Sequence, residues 1–335
     1  MRALVARSYG PPHTLRIEDV PIPEPGPGQI QVRVSAASLN PADLMMTSGE
    51  IREAFETRFP YVPGSDFAGT VTGLGPGVST FAVGEEVFGF GAPPSYAERF
   101  GLPAVTSGGL AEYATFQADG PFVARRPSGL PPETAAALAS TGMTAVAAVA
   151  DGDVRPGERV LVIGATGGVG SIVVQLLART RAAEVVATAI PEYAGYARAL
   201  GAAHTIDYLT SDVVAATREL HPDGVDAIVN LVLDGDRLQE AARALRPGGR
   251  VVSTTFGSIG GDGATLKVVN GPPSLRADTF PTLAAQALDG TLIDMISRTY
   301  PFDRAAEALA DLAAAAHTRG KWVVSMRSVP RESYP

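Results

Sequence analysis

The chain has 335 residues, of which 45% are hydrophobic, with a formal charge of −8 and no cysteine. The length suits about two domains, and the lack of cysteine removes disulfides, thiol nucleophiles and thiolate metal sites. No basic block offers non-specific nucleic-acid binding, the four histidines show no i, i+4 pair that would make a metal site, and no 18-residue apolar run is free of charges and turn residues.

The N-terminal stretch MRALVARSYG lacks the apolar run of a signal peptide, so a cytoplasmic protein is expected. Residues 2–7 and 30–36 read as strands, the second from its alternation in IQVRVSA. Asn40 to Met46 suits a short helix with proline at its first position. Residues 67–74, 86–90 and 111–117 are further short strands among glycine and proline turns, which suggests a small barrel or partly open sheet. The pattern changes near residue 131, where an Ala-rich stretch takes on helical spacing behind a proline pair. Strands are then expected near 159–163, 185–189, 204–207, 226–231 and 250–254, with helices near 169–180, 192–200, 211–220 and 235–245 between them. Apolar strands alternating with helices indicate an α/β fold with a doubly wound parallel sheet covered on both faces. Residues 281–289 and 303–316 read as helices, and 321–326 as a closing strand.

The most informative stretch is RVLVIGATGGVG, 159–170. It reads as strand, tight turn and helix. Gly164, Ala165, Thr166, Gly167, Gly168, Val169 and Gly170 form a variant dinucleotide fingerprint, with Ala165 where the first glycine of GxGxxG usually stands. Gly167 would admit a pyrophosphate to the backbone and Gly170 would let helix and strand pack closely.

Several stretches resemble, in order and spacing, those of the zinc-free medium-chain dehydrogenase/reductase family, in its quinone oxidoreductase and enoyl reductase branch. They are ASLNPADLMMTSG (37–49), PYVPGSDFAGTVTGLGPGVSTFAVGEEVFG (60–89), GGLAEYATFQAD (108–119), VRPGERVLVIGATGGVGSIVVQLL (154–177), LGAAHTIDY (200–208), LRPGGRVVSTTFG (245–257) and GKWVV (320–324). The resemblance implies a β-rich GroES-like domain over 1–122, a Rossmann domain over 123–298 and a return to the first domain over 299–335. It also implies no metal: zinc-dependent relatives place a cysteine where Asn40 stands.

Resemblance and fingerprint together imply a nicotinamide cofactor. Thr188, Ala189 and Ile190 end the second Rossmann strand without the carboxylate that holds a ribose 2′-OH, and Glu192 reads as a helix-start acid or a later ribose ligand. NADPH is therefore expected ahead of NADH, with Arg198 the local base and Tyr208 matching a tyrosine that contacts the adenosine phosphate in relatives. Arg198 reads equally as a residue of the solvent face. Thr144 matches a threonine near the nicotinamide ribose or phosphate, or else bonds a preceding carbonyl of its own helix. Asn230 and Leu231, and Thr254, Phe256 and Gly257, close the fourth and fifth Rossmann strands, where cofactor contact is expected.

Without zinc the favoured chemistry is hydride transfer to a conjugated C=C bond or a quinone. Charge then spreads onto an oxygen that hydrogen bonds can hold. Asn40 reads either as the donor to that oxygen or as a helix N-cap. Asp43 joins it in NPAD, structurally or catalytically, while Tyr61 and Asn270 are candidate substrate contacts and 50–60 a candidate lid. A ketone or alcohol oxidoreductase, and a non-catalytic nucleotide-sensing or interaction protein, are the alternatives. A homodimer through 264–299 is expected.

Overall fold

The computed structural model describes residues 1–101, 104, 107–180, 183–260, 263–269, 276–293 and 295–326. The chain opens with β1 (Arg2–Val5) and β2 (Arg16–Asp19), an antiparallel pair. There follow β3 (Gln29–Ser38), α1 (Pro41–Ser48), β4 (Asp66–Leu74), β5 (Glu86–Phe90), α2 (Pro94–Phe100), β6 (Tyr113–Gln117) and β7 (Val123–Arg125). The long helix α3 (Pro132–Asp151) leads into β8 (Arg159–Ile163), α4 (Gly168–Gln175), β9 (Glu184–Thr188), α5 (Pro191–Leu200) and β10 (His204–Ile206). Then come α6 (Val213–Leu220), β11 (Val225–Asn230), α7 (Gly235–Ala242), β12 (Leu245–Ser253), β13 (Thr265–Val268), α8 (Thr279–Leu288), β14 (Ile296–Pro301), α9 (Ala305–Ala314) and β15 (Lys321–Ser325).

Six strands form one parallel sheet in the order β10-β9-β8-β11-β12-β13. Its central strands are apolar at nearly every position because helices cover both faces: Val160, Leu161, Val162, Val185, Val186 and Ile228 are fully buried. The helix α6 starts where the Asp212 carboxylate accepts the Val214 and Ala215 N–H groups at 2.8 and 3.0 Å. A second sheet runs β14-β15-β3-β4-β5-β7, with β6 also on β3. The closing strand β15 pairs antiparallel with β3, Val323 opposite Ser38, so the end of the chain completes the β-rich sheet. Register shifts in β3 between Gln31 and Val32 and between Val34 and Ala36 bend it enough to hold partners along its length.

By length and composition α3 is apolar enough to cross a membrane, but 61% of its most apolar window is buried inside the protein. Its alanines, Ala135 to Ala139, bring the helix close against β3, β4, β5 and α4 and join the largest core. Four strands and one helix escaped the sequence pattern. β2, β7 and β13 have four residues or fewer, too short for periodicity, and β14 and α2 each run against a proline. β12 begins at Leu245, five residues before its expected start, because Leu245 already stands opposite Val225 of β11; the ladder then skips residues 246–249 and resumes with Arg250 opposite Ala227.

Candidate active site

The glycine turn and the helix behind it are built by close backbone packing. Gly164 sits at φ 82°, a left-handed conformation that favours glycine. A Cβ on Gly170 would lie 2.1 Å from the Gly164 carbonyl oxygen, so only glycine lets α4 approach β8 this closely. Ala165 is fully buried where a glycine is usual, inside the turn rather than on its open side. Thr166 is nearly buried, and its hydroxyl donates to Thr318 O at 3.0 Å. The N–H groups of Gly168, Val169 and Gly170 open α4, where a helix leaves its first donors unpaired. These three residues line a cavity of about 310 Å³ together with Gly164, Gly167, Leu231, Thr254 and Lys321. A glycine-lined cleft at a helix N-terminus, on the carboxyl side of a parallel sheet, fits a dinucleotide pyrophosphate.

A second cavity, of about 280 Å³, adjoins it and is largely apolar: Met46, Ile51, Tyr61, Phe90, Tyr96, Met143 and Val269 form much of its wall. The two cavities share Asn40, Pro41, Thr141, Thr144, Val169 and Thr254. The Thr144 hydroxyl donates to Ser140 O at 2.7 Å, the bond within its own helix, while the residue still borders both spaces. Tyr61 borders the apolar cavity, with burial and the nearby Asp43 raising its phenol above the ordinary range. Ile51 brings the 50–60 segment to the same wall, and Phe55 packs on Tyr96 with ring centres 4.8 Å apart. Asn270 lies outside the described residues.

Between the cavities sits a buried polar cluster. Asn40 and Asp43 form a capping box at the start of α1, in which Asp43 Oδ2 accepts the Asn40 N–H at 2.8 Å. The other Asp43 oxygen accepts the Gly64 N–H at 3.0 Å. Burial pushes the Asp43 carboxyl up to about 6, despite those two bonds, and the nearby Asp66 adds to the rise. The Asn40 side chain turns toward three further partners. Nδ2 donates to Asp66 Oδ2 at 3.0 Å, while Oδ1 accepts from Ser140 Oγ at 3.0 Å and from Lys321 Nζ. Asp66 also accepts from Ser38 Oγ at 2.6 Å, Ser140 N at 2.9 Å and Ser140 Oγ at 2.7 Å, the single Ser140 hydroxyl proton being shared between this carboxylate and Asn40 Oδ1, with Lys321 Nζ 3.7 Å away. Asp66 is fully buried and Lys321 5% exposed; burial lowers the lysine's pKa, opposed by Asp66 and Asp43. Sequence reading assigned no role to Lys321, Asp66 or Ser140. The first two stand in GKWVV and PGSDFAG, stretches singled out for their pattern only, and nothing local marks them as partners 255 residues apart.

Other expected cofactor contacts fall differently. Thr188 is buried, and its hydroxyl accepts the Gly164 N–H at 3.1 Å, so it supports the glycine turn from beneath instead of facing the cleft. Asn230 is fully buried and clamps the end of β11. Its NH₂ shares two protons among Leu233 O, Ser253 Oγ and Thr255 Oγ1, its oxygen accepts from Leu233 N, and it does not line the cleft. Leu231 and Thr254 do line the cleft. Phe256 is 71% exposed and Gly257 is exposed beside it. Arg198 is exposed and donates to Thr205 Oγ1 at 2.7 Å, and the Tyr208 hydroxyl meets His317 Nδ1 at 2.8 Å on the surface. Glu192 lies in the first turn of α5, a helix-start acid.

A model of the alcohol dehydrogenase GroES-like domain matches residues 26–128, and a model described as zinc-binding dehydrogenase matches 200–324. The chain is 30% identical to the chloroplastic NADPH-dependent alkenal/one oxidoreductase of Arabidopsis thaliana, over 97% of this chain and 79% of that protein. It belongs to the medium-chain dehydrogenase/reductase family. It is also 29% identical to the chloroplast envelope quinone oxidoreductase homolog of the same plant, over 97% of this chain and 98% of the relative. The quinone oxidoreductase structure from Coxiella burnetii superposes with a TM-score of 0.84 at 27% identity, covering 98% of this chain and 99% of that one. That structure shares the fold over nearly its whole length, and the polar cluster of this chain joins the β-rich sheet to α3.

Proposed function

We propose that this protein is an NADPH-dependent reductase of conjugated C=C bonds or quinones that works without a metal. One observation carries the reading: a glycine-lined cleft and an apolar cavity share a wall that includes Asn40, Thr144 and Thr254. A cofactor in the cleft and an apolar acceptor in the cavity would meet at that wall. When bound, the reduced nicotinamide supplies a hydride. Gly167 to Gly170 would hold the pyrophosphate on backbone N–H groups, with Leu231 and Thr254 against the rest of the cofactor. The end of β9 offers no carboxylate to a 2′-phosphate, and the name of the NADPH-dependent alkenal/one oxidoreductase relative supports the same cofactor.

The residues around Asn40 serve orientation and charge. As hydride reaches the acceptor carbon, negative charge grows on the conjugated oxygen. A donor already aimed there lowers the barrier without reorganising. Asn40 has one amide N–H on Asp66 and the other with only a long contact, 3.5 Å, to Ser38 O, so it is the side chain able to serve. Asp43 holds the Asn40 backbone. The apolar walls exclude water and favour apolar enones and quinones over hydrophilic ones. The absence of cysteine and the capture of Asn40 Oδ1 by two donors support chemistry without a metal. A cytoplasmic homodimer is part of the same proposal, supported by β13 at the edge of the parallel sheet.

The test is product analysis with C4-deuterated NADPH on a panel of enones, quinones and ketones. Deuterium on the β-carbon of an enone is expected. Deuterium on a carbinol carbon would move the protein to the ketone and alcohol reductases, and no transfer to any acceptor would end the enzymatic reading. Elemental analysis of the active protein should find no stoichiometric zinc.

A further inference from the structure

The polar cluster spans the whole chain: Asn40 follows β3, Asp66 begins β4, Ser140 lies in α3 and Lys321 begins β15. Lys321 reaches its place through Gly320, which sits at φ 54° and whose N–H donates to Thr166 O at 2.7 Å. The lysine stem runs past α4, 3.2 Å from where a Cβ on Gly168 would stand, and its ammonium ends on Asn40 Oδ1. This buried cation is spent on a neutral amide, with Asp66 Oδ2 at the longer distance of 3.7 Å. An ion pair alone would bring the ammonium onto the carboxylate.

We propose that Lys321 is a positioning residue for hydride transfer, acting through Asn40, which it locks in one amide orientation and polarises toward the acceptor oxygen. The inference rests on the reading that Asn40 meets that oxygen. The orientation follows from charge. If the amide were turned over, its NH₂ would face the Lys321 ammonium and its oxygen would face the Asp66 carboxylate, so donor would meet donor and acceptor would meet acceptor, while the Ser140 hydroxyl, able to donate or accept, suits either orientation. A cation on the amide oxygen also draws density from nitrogen, which strengthens the remaining N–H as a donor; hydrogen bonds in a chain reinforce one another in this way. Because Lys321 and Asp66 lie on different strands, the amide is aimed correctly only when β15 is seated against β3.

The test uses the full-length protein and Lys321→Met, Lys321→Arg and Ser140→Ala. Three quantities are read: the NADPH dissociation constant by cofactor fluorescence, the single-turnover rate of hydride transfer at saturating NADPH, and the unfolding constant in urea. Lys321→Met should slow hydride transfer several-fold, up to the roughly tenfold loss expected for Asn40→Ala, with NADPH affinity changed less than threefold. Lys321→Arg should recover part of the rate, since it restores the cation and the donor. Ser140→Ala removes the second donor to Asn40 Oδ1 and should slow the step a few-fold, so the proposal stays testable if Lys321→Met does not fold. The contact itself is read without turnover, from a double-mutant cycle of Ser140→Ala with Asn40→Ala in urea. Side chains bonded to each other typically couple by about 0.5–3 kcal/mol, roughly a twofold or larger factor in the unfolding constant. Additive effects would overturn the cluster even for a protein with no turnover. Loss of NADPH affinity in Lys321→Met with an unchanged hydride step would make Lys321 a cofactor ligand and overturn its positioning role. A wild-type protein that reduces no acceptor, with the cycle coupled, would instead refute the reductase reading alone.

Discussion

Replacing Gly170 by alanine should destabilise the protein, although both residues are helical and alanine is the better helix former. On propensity alone, Gly→Ala in a helix gains about 1 kcal/mol. At Gly170 the new Cβ would stand 2.1 Å from Gly164 O and 2.7 and 2.8 Å from the Ala165 C and Cα atoms. Real Cβ contacts essentially never fall under 3.0 Å, so backbone must move by almost 1 Å. Overpacking against side chains costs roughly 1–3 kcal/mol, and a main-chain turn yields less readily than a side chain. After the propensity gain, a net loss of about 2 kcal/mol or more is expected. The internal control is Gly195 in α5, where an added Cβ meets nothing within 4 Å. Gly195→Ala should raise stability by up to about 1 kcal/mol. A third variant isolates function: Gly167→Ala, whose nearest neighbours are Thr318 Oγ1 at 3.5 Å and Gly164 O at 3.7 Å, should fold normally. It should still weaken NADPH at least tenfold, because Gly167 lines the cleft. Urea melts and cofactor titrations on all three decide the matter. If Gly170→Ala melted at or above the parent, the tight helix–strand contact would be wrong.

Further outcomes follow from the same structure. Asn40→Ala should slow hydride transfer about tenfold and also cost roughly 1–3 kcal/mol, since it takes the close acceptor from the buried Lys321 ammonium; single-turnover kinetics and urea melts on one preparation separate the two effects. Asp43 holds its proton more tightly folded than unfolded, from 3.8 to about 6, so its contribution to stability is fully present below pH 4 and is lost as pH rises through 6, by about 3 kcal/mol. Melts from pH 4 to 7 should show that falling component in the parent and not in Asp43→Asn. Thr188→Val should cost about 1–3 kcal/mol by leaving the Gly164 N–H without its acceptor, and an unchanged melt would remove Thr188 from the turn. Light scattering should give twice the 34.6 kDa chain mass, and a monomer mass would end the dimer proposal.

The sequence by itself determined the parallel sheet and the glycine turn, because both are local. An apolar run of strand length ending in GATGGVG, followed by helical spacing, carries its structure within twelve residues, and the expected β8 agrees with the observed one at both ends. The position of Asn40 before a proline-led helix was equally legible, since capping depends on residues three apart. Short strands such as β7 and β13 were hidden because three or four residues hold no period. The tertiary structure alone decided what the polar residues do. Thr188 and Asn230 stand at the strand ends where cofactor contact was expected, yet their side chains turn inward to satisfy backbone and hydroxyl groups. A strand end fixes where a residue is, while the direction of its side chain depends on which neighbouring donors need a partner. Lys321 and Asp66 became partners only when the last strand returned to the β-rich sheet beside β3, and no local pattern encodes a contact that closure of so long a chain segment creates.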